Sequence, residues 1–273
     1  MTVQAAPRPL KIHIITDLEG AAMVFNFGQT RDNPPSHPLR AEAMRILTKE
    51  INSCVDGILD VDPRADILVW DGHGSGGIWY EDVHEGARYT RGTTMPWGLD
   101  ETYDALFFVG QHAMAGTAAA PLAHTYSSKT IEHYKLNGGL VGEFGMRAYM
   151  AGTLFDVPVA FIAGDDKAVL EAQALVPNIV GVATKEGTGL EGAISLSPAR
   201  ARALIREGAQ RACEQVRAGE IKPVKLEPPY EWEVRYLEGQ ENRLDSFLRH
   251  SGTERLDSRT AVLRTSDPLS VFK

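Results

Sequence analysis

The sequence predicts an α/β fold: a mostly parallel sheet flanked by helices, with a small α+β extension at the C-terminal end. Three observations carry this reading. Short apolar runs recur along the chain, at Ile12 to Ile15, Ile67 to Trp70, Ala105 to Val109 and Val159 to Ile162. Their hydrophobicity is continuous rather than alternating, as in parallel strands covered on both faces. Segments of helical period lie between them, and each run breaks into acidic or imidazole groups.

The first strand lies in Lys11 to Gly20, where β-branched residues give way to Asp17-Leu18-Glu19-Gly20. Alternation along an extended backbone sends Asp17 and Glu19 to the same side. Two like charges there repel unless a cation or a proton lies between them. Taken alone, the stretch reads more simply as an acidic turn in water. Residues 21 to 33 read as a loop. Ser36 and Pro38 signal a helix start. Met44, Leu47, Ile51, Cys54 and Ile58 then recur at three- and four-residue spacing and give that helix one buried face.

The second strand runs into Asp71-Gly72-His73-Gly74, the third into Gly110-Gln111-His112 and the fourth into Ala163-Gly164-Asp165-Asp166. Tyr134 to Val141 reads as a hairpin turning at Asn137-Gly138. It delivers Gly142-Glu143-Phe144-Gly145 to a helix that reaches about Gly152. Asp165 and Asp166 read as an N-cap and a dipole partner for the next helix. Ser197 and Pro198 open a long helix that ends at Gly219. A Pro-rich connection, Lys222 to Pro229, divides a main domain (residues 10–221) from an extension (residues 222–273) with candidate strands at Trp232 to Leu237 and Ala261 to Arg264.

The 273 residues are 43% hydrophobic and 23% charged, ordinary for a globular protein. A net charge of -8 argues against a nucleic-acid or anionic-membrane partner and for a small substrate. Cys54 and Cys213 are far apart in helical segments and read as small core hydrophobes, which suits a reducing compartment. The N-terminus lacks a cationic start followed by an apolar stretch, and Pro7 and Pro9 interrupt it. No apolar run approaches a membrane span. The expectation is a cytoplasmic protein.

In an open parallel sheet the carboxyl ends of the strands gather on one edge, where ligand sites form. His73 and His112 end two strands there, and Asp17 and Glu19 end a third. That imidazole-plus-carboxylate set is one that holds zinc and similar ions. Glu143, in a first helical turn, has two explanations. It complements the helix dipole, or it is a ligand whose flanking glycines permit close backbone approach. Gly72 to Gly77 also fits the G-x-G-x-x-G pattern of a nucleotide-binding module. However, Ile78 to Thr90 offers no amphipathic helix, and the next strand ends without a ribose-binding acid.

Asp17-x-Glu19-Gly20, Asp71-x-His73, Gly110-x-His112-Ala113, Val141-Gly142-Glu143-x-Gly145 and Ala163-Gly164-Asp165-Asp166 occur in that order. Together they resemble the D-aminopeptidase family of dinuclear zinc peptidases, called DppA-like or M55, from about Lys11 to the Pro-rich connection. The resemblance implies two divalent ions per chain, with zinc the ion expected. Asp17 would bridge them, Glu19 and His73 would complete one shell, and His112 and Glu143 the other. It further implies His124 as a catalytic histidine outside the metal shells, and a homo-oligomeric ring. Two departures accompany it: one residue more between His112 and His124, and a C-terminal segment ending at Lys273 where related chains continue a helix. The function expected is a metal-dependent aminopeptidase cleaving the N-terminal amide bond of short peptides or amino-acid amides. The alternatives are hydrolysis of a non-peptide amide or phosphoester by the same metals, and a metal-free nucleotide-binding module.

Overall fold

The computed structural model describes residues 8–92 and 94–272, so Pro7 and the stretch before it, Thr93 and Lys273 lie outside the described residues. The first apolar run forms β1 (Lys11–Thr16), followed by α1 (Pro38–Val61), β2 (Asp66–Asp71), β3 (Arg88–Arg91) and β4 (Ala105–Gln111). The hairpin is β5 (Ile131–Leu136) with β6 (Gly139–Val141), its turn carried by the positive φ angles of Asn137 and Gly138. It leads into α2 (Glu143–Phe155), β7 (Val159–Asp165) and α3 (Asp166–Leu175). Next come β8 (Val180–Gly189), β9 (Gly192–Ser195) and α4 (Pro198–Ala218). The chain closes with β10 (Tyr230–Tyr236), α5 (Leu244–Phe247), β11 (Thr253–Arg255), β12 (Thr260–Thr265) and α6 (Pro268–Phe272).

The main sheet has the order β3-β2-β1-β4-β7-β8-β9, with β9 antiparallel and the other pairings parallel. From β1 the chain moves outward to β2 and β3, then returns to lay β4 on the other side of β1. Crossovers in opposite directions along the sheet put helices on both faces: α1 packs with α4, and α2 with α3. The reversal makes the β1/β4 boundary the switch point at which open α/β sheets form their sites. Phe107, Phe108 and Phe161 are fully buried between the layers, each contributing about 1.5–3 kcal/mol by leaving water. Cys54 and Cys213 are buried free thiols. No helix among the described residues is long and apolar enough to cross a membrane.

Most helix boundaries follow the expected chemistry. Asp165 caps α3 by accepting from the backbone N–H groups of Lys167 and Ala168, Ser197 caps α4, and Gly219 ends it in the left-handed region. One expectation is corrected. His37, not Ser36, caps α1, because its ring nitrogen accepts from the Leu39 N–H. A second sheet has the order β11-β12-β10-β5-β6. It draws strands from both sides of the boundary expected at residues 221 and 222, around a small core of Ile131, Val234, Leu244, Phe247, Ala261 and Leu263.

The main sheet is drawn tight at the switch point. The Asp17 N–H donates to the Val109 carbonyl at 2.9 Å and the Gly20 N–H to the Gly110 carbonyl at 2.7 Å. A Cβ at Gly110, where φ is +82°, would sit 1.9 Å from the Asp17 carbonyl oxygen. Gly110→Ala should therefore cost at least about 1–3 kcal/mol from backbone strain alone, with the steric conflict adding to it. A urea midpoint within error of the parent's would contradict this close approach.

Candidate metal centre

Four elements deliver the site. Asp17 and Glu19 leave the end of β1, His73 follows β2, His112 follows β4, and Glu143 opens α2. All five are buried. His112 Nε2 lies 3.3 Å from Asp17 Oδ2 and 3.4 Å from Glu143 Oε1, and His73 Nε2 lies 3.2 Å from Glu19 Oε1. The cluster opens into a cavity of about 300 Å³ lined by Asp17, Glu19, His73, His124, Glu143 and Arg147.

The other ring nitrogens fix the tautomers. His73 Nδ1 faces the Gly76 carbonyl at 3.2 Å and His112 Nδ1 faces the Ala113 carbonyl at 2.9 Å. A carbonyl only accepts, so both Nδ1 atoms carry a proton, and each ring turns its Nε2 toward a carboxylate, that of His73 within hydrogen-bonding distance of Glu19. Lone pair and carboxylate repel at such distances unless a proton or a metal cation lies between them. Among the described residues, His112 Nε2 and Glu19 Oε2 have no hydrogen-bond partner although both are buried. Backbone anchoring of one ring nitrogen is the outer support that metal-ligating histidines have. The donor set fits a divalent metal. Asp17, Glu19 and His112 can bring ligand atoms within 4.8 Å of one another, and so can His112, His124 and Glu143.

Electrostatics follows from crowding. Burial, and then the Glu19 charge, push the Asp17 carboxyl up. Burial works against ionisation of Glu19, and His73 outweighs it, holding that carboxyl well below its ordinary range. Burial likewise opposes charge on His73, yet Glu19 prevails and lifts it to about 9. His112 is raised against its burial by Asp17 and Glu143. Glu143 is also held low against burial, by His112 and by Arg147, whose Nη2 is 3.1 Å from Oε2. The Tyr126 N–H donates to Glu143 Oε1 at 2.9 Å.

His124 arrives differently, on a loop. Leu122 adopts a positive φ of 58°, and the His124 N–H donates to the Ala113 carbonyl. The His124 ring then stacks on His112 with centroids 4.0 Å apart. Its Nδ1 donates to the Leu122 carbonyl at 2.8 Å, and its Nε2 lies 3.8 Å from Glu143 Oε1. Burial, and then the neighbouring His112, lower its pKa, the reverse of the other two rings.

The remaining strand end does other work. Asp165 is the cap of α3 and accepts from the Ala113 N–H at 3.1 Å, tying the end of β4 to that helix. The Gly72 to Gly77 loop folds on itself. The Gly76 N–H donates to the His73 carbonyl and the Gly77 N–H to Asp71 Oδ1, and a short 3₁₀ turn follows instead of a long helix. Two of the amide groups that a phosphate would need are thereby engaged.

The profile of the Peptidase_M55 family, described as D-aminopeptidase, matches residues 10–273. The chain belongs to that family. A D-aminopeptidase of Bacillus subtilis (strain 168) is 34% identical over 189 residues, covering 67% of this chain and 66% of that protein, so the aligned part spans just under two thirds of the relative's length. Among solved structures, the Zn-dependent D-aminopeptidase DppA from Bacillus subtilis, a self-compartmentalizing protease, superposes with a TM-score of 0.87 at 26% identity. That match covers 96% of this chain and 94% of the other.

Three residues near the cluster escape the sequence reading. Arg147 sits one turn after Glu143, a spacing that does signal an ion pair. Lys185, in the unrecognised strand β8, donates to the carbonyls of Glu19, Ala21 and Val24. Glu50, on α1, accepts from the Ala22 N–H at 2.9 Å. These last two hold the loop behind the cluster, and burial pushes Glu50 up to about 7 and Lys185 down to about 8.

A carboxyl whose folded pKa exceeds its ordinary 4.5 contributes stability that is complete below that value and lost as pH rises through about 7. Glu50→Gln keeps the acceptor for the Ala22 N–H and removes the titration. Relative to the parent it should gain stability between about pH 5 and about pH 8, by up to about 3 kcal/mol. Urea midpoints of both proteins across that window check this, and parallel curves would refute it.

Proposed function

We propose that this chain is a metal-dependent aminopeptidase that removes the N-terminal residue from short peptides or amino-acid amides. The observation that carries the reading is the pair of backbone-anchored histidines, His73 and His112, aiming their Nε2 atoms at Asp17, Glu19 and Glu143. Family membership supports the same reaction over a phosphoester or a non-peptide amide. Asp17 would serve both of two divalent ions, with Glu19 and His73 on one and His112 and Glu143 on the other. Zinc is the ion named for the structural relative. Ions held there supply Lewis acidity toward the scissile carbonyl and an activated water.

The chain's own residues do the rest. His124 is kept neutral by burial and by His112, and its Nδ1–H is tied to Leu122. Its Nε2 is therefore free to take a proton from the attacking water and return it to the departing amine. Glu143 is fixed from two further sides by the Tyr126 N–H and Arg147, which keeps its carboxylate from turning away as charge develops. The self-compartmentalizing assembly of the structural relative supports a homo-oligomer here too, a closed ring in our reading.

Protein purified without chelator should carry about two divalent ions per chain, as five clustered ligands allow. Asp17→Ala should lose more than one equivalent and His73→Ala chiefly one. The loaded protein should cleave amino-acid amides and peptides with a free amine and leave N-acetylated versions nearly untouched. Elemental analysis and paired substrates test both parts. Fewer than one ion after reloading, or equal turnover of blocked and free substrates, would reject the proposal.

His124→Ala separates proton transfer from metal binding. As a proton carrier, the variant keeps its ions and loses roughly 10²–10⁴-fold in turnover. Metal content falling together with activity would instead make His124 a ligand beside His112 and Glu143.

A further inference from the structure

Arg147 is more than a partner for Glu143. Its side chain is only 4% exposed, and Nη2 makes the 3.1 Å ion pair. Nε and Nη1 are buried and have no hydrogen-bond partner among the described residues. Arg147 borders two openings. On one side is the cavity of the metal cluster, and on the other a mainly apolar cavity of about 200 Å³ whose walls include Trp97, Tyr134, Met146 and Trp232. Its guanidinium carbon lies 5.2 Å from the Trp70 ring and 5.9 Å from that of Trp97. Unpaired N–H groups of a buried cation are costly to maintain in a folded protein. Glu143 engages one N–H of Nη2, and the second lies parallel to that of Nε or of Nη1, the paired geometry a carboxylate takes up in two hydrogen bonds.

We propose that Arg147 binds the C-terminal carboxylate of a dipeptide, and that the adjoining apolar cavity receives the side chain of the same, departing residue. The inference rests on the aminopeptidase reading for the position of the scissile bond. In a dipeptide the free carboxylate lies one residue beyond that bond, and successive Cα atoms are about 3.8 Å apart. Arg147 reaches Glu143 at 3.1 Å through Nη2, so the rest of its guanidinium lies a short way from the cluster. A longer peptide carries its carboxylate past the arginine, and an amide has none to offer. The two wall types then divide the recognition: a charge pair for the carboxylate, and apolar contact for the side chain beside it.

The test compares a leucyl-leucine dipeptide with its C-terminal amide, in all-D and all-L forms, on zinc-loaded protein. The parent should favour the free acid by about tenfold or more in kcat/KM, chiefly through KM, as expected for a hydrogen-bonded charge pair. In Arg147→Met the acid-to-amide ratio should fall toward one, with Arg147→Lys intermediate because a point charge replaces the fork. No preference in the parent would overturn the proposal. An unchanged ratio in Arg147→Met, with both rates and the metal content reduced, would assign the arginine to Glu143 alone. Calorimetric titration with the same two ligands keeps the proposals separable. Acid-selective binding without hydrolysis of either compound would leave the carboxylate site standing and sink the aminopeptidase reading. Equal binding of acid and amide would sink the carboxylate site.

Discussion

Buried carboxylates of like sign repel one another unless positive charge is shared among them, and that constraint governs the whole carboxyl edge of the main sheet. Asp17, Glu19 and Glu143 converge there from two elements, away from water. Around them the fold has assembled what such a group requires. Two imidazoles have their protons committed to backbone carbonyls, an arginine stands behind Glu143, and a buried lysine sits behind the loop that carries Glu19. The tight approach of β1 and β4 is part of the same solution. With side chains at Gly20 or Gly110 the strand ends would separate, and the carboxylates with them.

Much of the fold was legible because the central strands are covered on both faces and so are written as unbroken apolar runs. β1, β2, β4 and β7 are of this kind. The edges were not legible, for a physical reason. β3 reads Arg88-Tyr89-Thr90-Arg91, and β8 mixes Thr184, Lys185 and Glu186 into its course, since an edge or half-covered strand need not be apolar throughout. Nor could local pattern announce that Trp232 and Val234 of β10 pair with Leu136 and Tyr134 of β5, because such pairing joins residues far apart in sequence.

The candidate ligands were readable because strand ends share an edge, so residues distant in sequence could be assigned one neighbourhood from topology alone. His124 required the family resemblance, since its position depends on a loop held by the positive φ of Leu122 and a hydrogen bond to Ala113. Lys185 carried no signal at all. A lysine in a strand of mixed polarity looks solvated until the fold closes three carbonyl groups over it. Arg147 lay in plain view at helical spacing from Glu143, and only its surroundings reveal that half its guanidinium is unclaimed.

The second sheet gives the distal part of the chain a mechanical role. Between His124 and Glu143 the chain makes the β5–β6 hairpin, and β10 grips that hairpin through backbone pairing, with Glu233 reaching Lys135 and His133, and Arg235 reaching Glu132. The C-terminal strands thus act as a splint on the one segment that carries both the loop histidine and the helix-borne carboxylate. Part of the stiffness of the candidate edge is thereby set far along the chain, by residues outside the ligand set.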